Sequence, residues 1–162
     1  MNKYDAVMLA KDLPDEGLRK WSAGTILELC DEDCCQVEMF GKDGAPRFLG
    51  TLPKECLEVI WQRDSGQYVG RFEKLLYIFD EIKCLVDRPD TDFSWSSFRN
   101  ATEFSETFDL LIENIKKGVP GSMEEMQLLF APTSDLQDIS IDSGWSGKYI
   151  EISSRFNEYS NL

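Results

Sequence analysis

This 162-residue chain carries 30 carboxylates and no histidine, and that pairing bounds its chemistry. Without histidine it lacks the commonest general base, the commonest metal ligand and every His-based triad. No Gly-x-Ser-x-Gly elbow occurs, and Gly41, Gly44, Gly118, Gly121, Gly144 and Gly147 do not assemble into a phosphate-binding loop. The sequence therefore predicts a protein that is not an enzyme and carries no cofactor. Two clusters could still hold a cation. Cys30, Cys34, Cys35 and Cys56 include adjacent thiols, which are poor geometry for one tetrahedron. With Cys84 they make five, an odd number, and read as reduced thiols packed as small hydrophobes. Asp135, Asp138 and Asp142, spaced among Ser134, Ser140 and Ser143, lack the Gly and terminal Glu positions of an EF-hand loop. No metal is expected at either cluster, because Asp and Ser more commonly cap helices or close turns. Asp31-Glu32-Asp33 reads as a solvated turn.

The charge balance points to a partner. Seventeen basic residues against 30 acidic ones give a net charge of −13 and a pI near 4.4. Such a field repels phosphate backbones and anionic membrane surfaces, and it speeds the approach of a cationic protein. Direct nucleic-acid binding and membrane attachment are not expected. Acidity is spread along the chain, with 7 basic and 12 acidic groups up to residue 62 and 10 and 18 beyond it. The start, Met1-Asn2-Lys3-Tyr4-Asp5, has no long apolar run behind it, and no window approaches the roughly 18 apolar residues of a membrane span. The expected location is the cytoplasm.

The elements that must position these residues fall into two classes. Tyr4 to Ala10, Gly24 to Cys30, Gln36 to Phe40, Phe48 to Leu52 and Leu57 to Trp61 are β-branched, aromatic or aliphatic runs separated by Gly and Pro. Five short strands in about sixty residues suggest a small barrel. Lys42-Asp43-Gly44 reads as a hairpin turn and Asp12 to Gly17 as a longer polar loop. After a polar boundary at residues 62–66 the period changes to three or four. Phe72, Leu75, Leu76, Phe79, Ile82 and Val86 share one face of a predicted helix over 69–87, which Pro89 stops. Ser94 to Phe98 reads as a short helical turn. A second helix opens at Thr102-Glu103 and stops at Gly118, and a third runs from the Ser122-x-x-Glu125 capping pattern to about Phe130. Residues 133–145 read as an acidic loop before a last helix over 148–159. The predicted fold class is α+β, a small SH3-like β-barrel over 1–62 followed by a mainly helical domain over 63–162.

Two partial resemblances add to this reading. Val7 to Leu18, with Asp-Leu-Pro-x-x-Gly-Leu at 12–18, then Gly24-Thr25-Ile26 and Val37-Glu38-Met39-Phe40, resembles a bacterial domain family of unknown function with an SH3-like barrel. That likeness covers about the first 60 residues, and Trp21 departs from it where the family usually has Gly. Phe130-Ala131-Pro132-Thr133 and Asp138-x-Ser140-x-Asp142-x-Gly144-Trp145 are similar to C-terminal parts of small proteins found beside polymorphic toxins, including immunity proteins of contact-dependent growth inhibition systems. This resemblance implies an antidote, monomeric apart from its complex, that occludes the basic surface of a cognate toxin domain, with a nuclease as the expected toxin. The partner-binding residues then expected are Asp135, Asp138 and Asp142, with Asp90 and Asp92 from the loop after the first helix, all displayed on loops. Trp145 reads either as a core tryptophan or as an interface anchor. The alternatives are a metal- or small-ligand-binding regulatory module sensing through its barrel, and an enzyme relying on Asp and Glu alone.

Overall fold

A computed structural model describes residues 1–41 and 43–161 as a mixed α+β protein. Among the described residues there are six strands: β1 (Ala6–Leu9), β2 (Ala23–Leu29), β3 (Cys34–Phe40), β4 (Pro46–Pro53), β5 (Leu57–Gln62) and β6 (Gln67–Tyr68). Five helices follow: α1 (Gly70–Val86), α2 (Ala101–Lys116), α3 (Ser122–Leu129), α4 (Asp135–Asp142) and α5 (Ser146–Ser160). The strands form one antiparallel sheet in the order β4-β3-β2-β1-β5-β6. The expected five-stranded barrel is thus corrected to an open six-stranded sheet, because among the described residues β4 and β6 each pair with one neighbour only.

The chain divides into two compact units, residues 1–73 with 114–122, and residues 74–113 with 123–161. In the first, Val7, Leu9, Ile26, Val37, Met39 and Leu52 bury one side of the sheet, joined by Cys35 and Cys56. Alternation puts these residues on one face, as the period of two requires. Cys30 and Cys84 are exposed, so small-hydrophobe packing describes only some of the thiols. Burial raises the Cys35 thiol above its ordinary value. Residues 63–66 connect β5 to β6. The Gly66 N–H donates to the Gln62 carbonyl at 2.9 Å, and the Arg63 N–H donates to the buried Asp5 carboxylate at 3.1 Å. In the predicted hairpin turn the Gly44 N–H donates to the Gly41 carbonyl at 2.9 Å, while Lys42 lies outside the described residues. Residues 114–122 lie directly on β2: a Cβ added to Gly118 would sit 2.8 Å from the Ala23 Cα.

Trp21 has a φ of 68°, a left-handed backbone where glycine is at ease. It holds the third position of a turn closed by the Ser22 N–H donating to the Arg19 carbonyl at 3.1 Å, the place where such turns favour Gly. The indole is 9% exposed, so its burial compensates for the strain.

In the second unit a chain of rings forms the core. Phe104 stacks on Phe108 at 5.1 Å, Phe108 meets Phe79 edge-on at 5.8 Å, and Phe79 leans on Phe156 at 6.2 Å. Phe156 stacks on Phe130 at 3.9 Å. Beside this core Arg155 grips Glu81 with two parallel N–H bonds of 2.7 and 2.8 Å. Those bonds hold the Glu81 carboxyl below its ordinary value.

Two outcomes follow. Phe156→Ala removes a fully buried ring with two ring partners and should cost about 3–5 kcal/mol in urea denaturation. Glu81→Gln should cost about 1 kcal/mol at pH 7, because the pair is partly exposed. A lowered native pKa means the stabilisation is complete above the ordinary value of 4.5 and is lost as pH falls through the native one. The difference between wild type and Glu81→Gln should therefore shrink on moving from pH 7 to pH 3.

Candidate functional site

Residues 133–145 contain a helix where the sequence reading had a loop. Ser134 caps α4, its Oγ accepting from the Gln137 N–H at 3.5 Å, and Leu136, Ile139 and Ser140 are buried beneath it. The short apolar set at spacing three and four was hidden by the surrounding Asp and Ser residues. The helix ends at Gly144-Trp145. The Trp145 N–H donates to the Ser140 carbonyl at 2.8 Å and the Gly144 N–H to the Ile141 carbonyl at 3.1 Å, with Gly144 at a φ of 74°. This is the paired-bond glycine stop of a helix, with an apolar residue following it. Trp145 is 5% exposed and meets Tyr149 edge-on at 6.4 Å, so the free protein holds it as a core residue. Its indole N–H has no hydrogen-bond partner among the described residues.

The five aspartates differ in what they are free to do. Asp90 pairs with Arg88 through bonds of 2.9 and 3.2 Å. Asp92 accepts from the Ser94 hydroxyl at 2.5 Å and the Ser94 N–H at 2.8 Å, which lowers its pKa, while its own N–H donates to Ser143 Oγ at 2.8 Å. Asp135 accepts from the Ser97 N–H at 2.6 Å and the Ser97 hydroxyl at 2.7 Å. These bonds stitch the 87–100 connection to α4, and that connection contains turns rather than the expected helical turn at 94–98. The carboxylates of Asp138 and Asp142 make no hydrogen bond or ion pair with any described residue. With Asp135 they follow a spacing of three and four, so the row shares one face of α4.

Asp135 and Asp138 line a groove of about 430 Å³ among α2, α3 and α4. Leu111, Leu128 and Leu129 give it apolar lining, and Glu125 adds a third carboxylate. Leu128 is 70% exposed, because Met123 and Met126 take the buried stripe of α3, which Phe130 continues just beyond the helix, and Leu128 falls off it. Thr133 at its edge holds a φ of 63°, uncommon for a β-branched residue, with its N–H donating to Gln137 Oε1 at 2.7 Å. Two residues before Ser97, Trp95 is 80% exposed on a loop that curls around a hollow of about 860 Å³ lined by its own residues. Sequence reading passed over both Trp95 and Leu128. The available signal was an aromatic among serines outside any apolar period, and a leucine out of phase with its helix. Among the described residues no group of three or more potential ligands is placed to hold a metal ion, and no helix is long and apolar enough to cross a membrane.

Comparisons with family models, curated proteins and solved structures find no match to the chain.

Asp135 and Asp142 sit at opposite ends of one helix dipole, so their substitutions should differ in sign. Asp135→Asn weakens two bonds to Ser97 and removes negative charge from the N-terminus, costing about 1–2 kcal/mol. Asp142→Asn removes negative charge from the C-terminus and repulsion with Asp138, and should stabilise by about 0.3–1 kcal/mol. Denaturation midpoints of the two variants at low salt check both signs.

Proposed function

We propose that this chain is a cytoplasmic immunity protein that neutralises a bacterial toxin domain by covering its basic surface, without catalysing a reaction. The observation that carries the reading is the groove in the second unit, where leucines meet three carboxylates in a chain of net charge −13. A long cationic side chain fits such a site on both counts, its methylene stem against leucine and its charge against carboxylate. A toxin that binds nucleic acid must display Lys and Arg, which makes a nuclease the matching partner. The Asp138 carboxylate is uncommitted within the fold and adds repulsion along α4, as expected of a group whose partner is another molecule. Trp95 supplies the exposed aromatic that a binding hot spot uses, the role the sequence reading weighed for Trp145. For residues 1–62, an SH3-like arrangement is supported by the order β4-β3-β2-β1-β5 and by the 3-10 turn Lys54–Cys56 before β5.

If a toxin domain is encoded beside this chain, its coexpression with the chain should protect cells and yield a complex on copurification. In stopped-flow association, Glu125→Gln with Asp138→Asn should lower the on-rate several-fold at low salt and flatten its salt dependence, while Leu128→Ala and Trp95→Ala should chiefly speed dissociation. Failure to neutralise any neighbouring toxin removes the immunity reading. Neutralisation with wild-type rates in all these variants moves the interface to another surface.

A further inference from the structure

The sheet-bearing unit contains a concave site with charge opposite to that of the chain as a whole. Arg19, on the loop after β1, and Arg47, on β4, line a depression of about 430 Å³ together with Ser22 and the half-buried ring of Phe40. The backbone of Gly17, Gly41 and Gly121 completes the wall, so no bulky side chain closes it there. Two arginines lining one hollow run against a net charge of −13.

Local structure seats each group. Arg47 lies across Gly41: a Cβ at that position would collide with the arginine Nε and lie 2.8 Å from its Cγ. One of its terminal nitrogens donates to Asp43 Oδ2 at 3.2 Å, an ion pair more than half exposed on both sides, which leaves the rest of its fork open. Arg19 makes no ion pair with any described residue. The turn forced by the left-handed Trp21 binds Ser22 by its backbone at both ends, its N–H to the Arg19 carbonyl and its carbonyl to the Leu9 N–H at 3.0 Å. Ser22 is 7% exposed, and its hydroxyl makes no hydrogen bond to a described residue, which leaves it open to the depression.

The geometry points to an oxyanion-binding subsite in this depression, which takes the phosphate or carboxylate group of a small ligand between Arg19 and Arg47. The guanidinium forks bind oxygen pairs, the Ser22 hydroxyl donates a neutral hydrogen bond, and Phe40 offers an apolar wall to the remainder of the ligand. The anion competes with Asp43 for Arg47. This subsite belongs to the unit that the toxin reading leaves unused, and it stands without that reading.

The test is an amide-resolved NMR titration of the whole chain with inorganic phosphate and, separately, with acetate at constant ionic strength. Saturable shifts at Gly17, Ser22, Gly41 and Gly121 are expected with at least one anion, in the millimolar range suited to a fragment. Preference for phosphate assigns a phosphorylated ligand, and preference for acetate a carboxylate ligand. Arg19→Gln and Arg47→Gln should each weaken binding about tenfold, the loss expected for a charge-assisted contact. Lys11→Gln removes the same unit of charge outside the depression and should leave the affinity within about twofold. Linear shifts with both anions, saturable shifts confined to other residues, or equal weakening by Lys11→Gln would overturn the proposal.

Discussion

Phe79 stands between Phe108 and Phe156, and the placement of the second unit's helices follows from that contact. Through it the rings of Phe104, Phe108, Phe156 and Phe130 form a continuous series that links residues of α1, α2 and α5 and the end of α3. Rings of this size bury large apolar areas and prefer edge-on or offset contacts, so each partner restricts the angle of the next. Once those helices are placed, α3 has no core position left for Leu128, and α4 closes the unit with Leu136 and Ile139 inward and its aspartates outward. The groove is a consequence of this packing.

Its electrostatics follow from the same order. A carboxylate at the start of α4 is favoured by the helix dipole and is further anchored to Ser97, whereas one at the end is disfavoured. Stability alone therefore accounts for Asp135 and does not account for Asp142. The 87–100 connection consumes Asp90 in an ion pair and Asp92 in a turn, so acidity along this stretch is partly structural.

In the sheet-bearing unit the controlling constraint is close backbone approach. Residues 114–122 touch β2 only because Gly118 lacks a side chain, and Arg47 lies over Gly41 for the same reason. A strained Trp21 is retained because the ring that suffers the left-handed backbone is also buried. The depression with its two arginines is what these approaches leave behind.

The amino-acid sequence by itself determined the element types. The strands near residues 6–9, 23–29, 34–40, 46–53 and 57–62, and the helices over 70–86, 101–116, 122–129 and 146–160, were legible because periods of two and of three or four reflect local geometry. It also excluded histidine chemistry and set the charge. Tertiary structure decided the rest. The sheet's open edges depend on which strands meet, and α4 depends on a core beneath it that its own serines and aspartates conceal. The candidate site was half legible: composition singled out Asp135 and Asp138, but only packing revealed that Trp145 is buried while Trp95 and Leu128 are exposed. A tryptophan in a polar stretch reads alike in either state, because burial is a property of what long-range contacts bring over it and not of its neighbours in the chain.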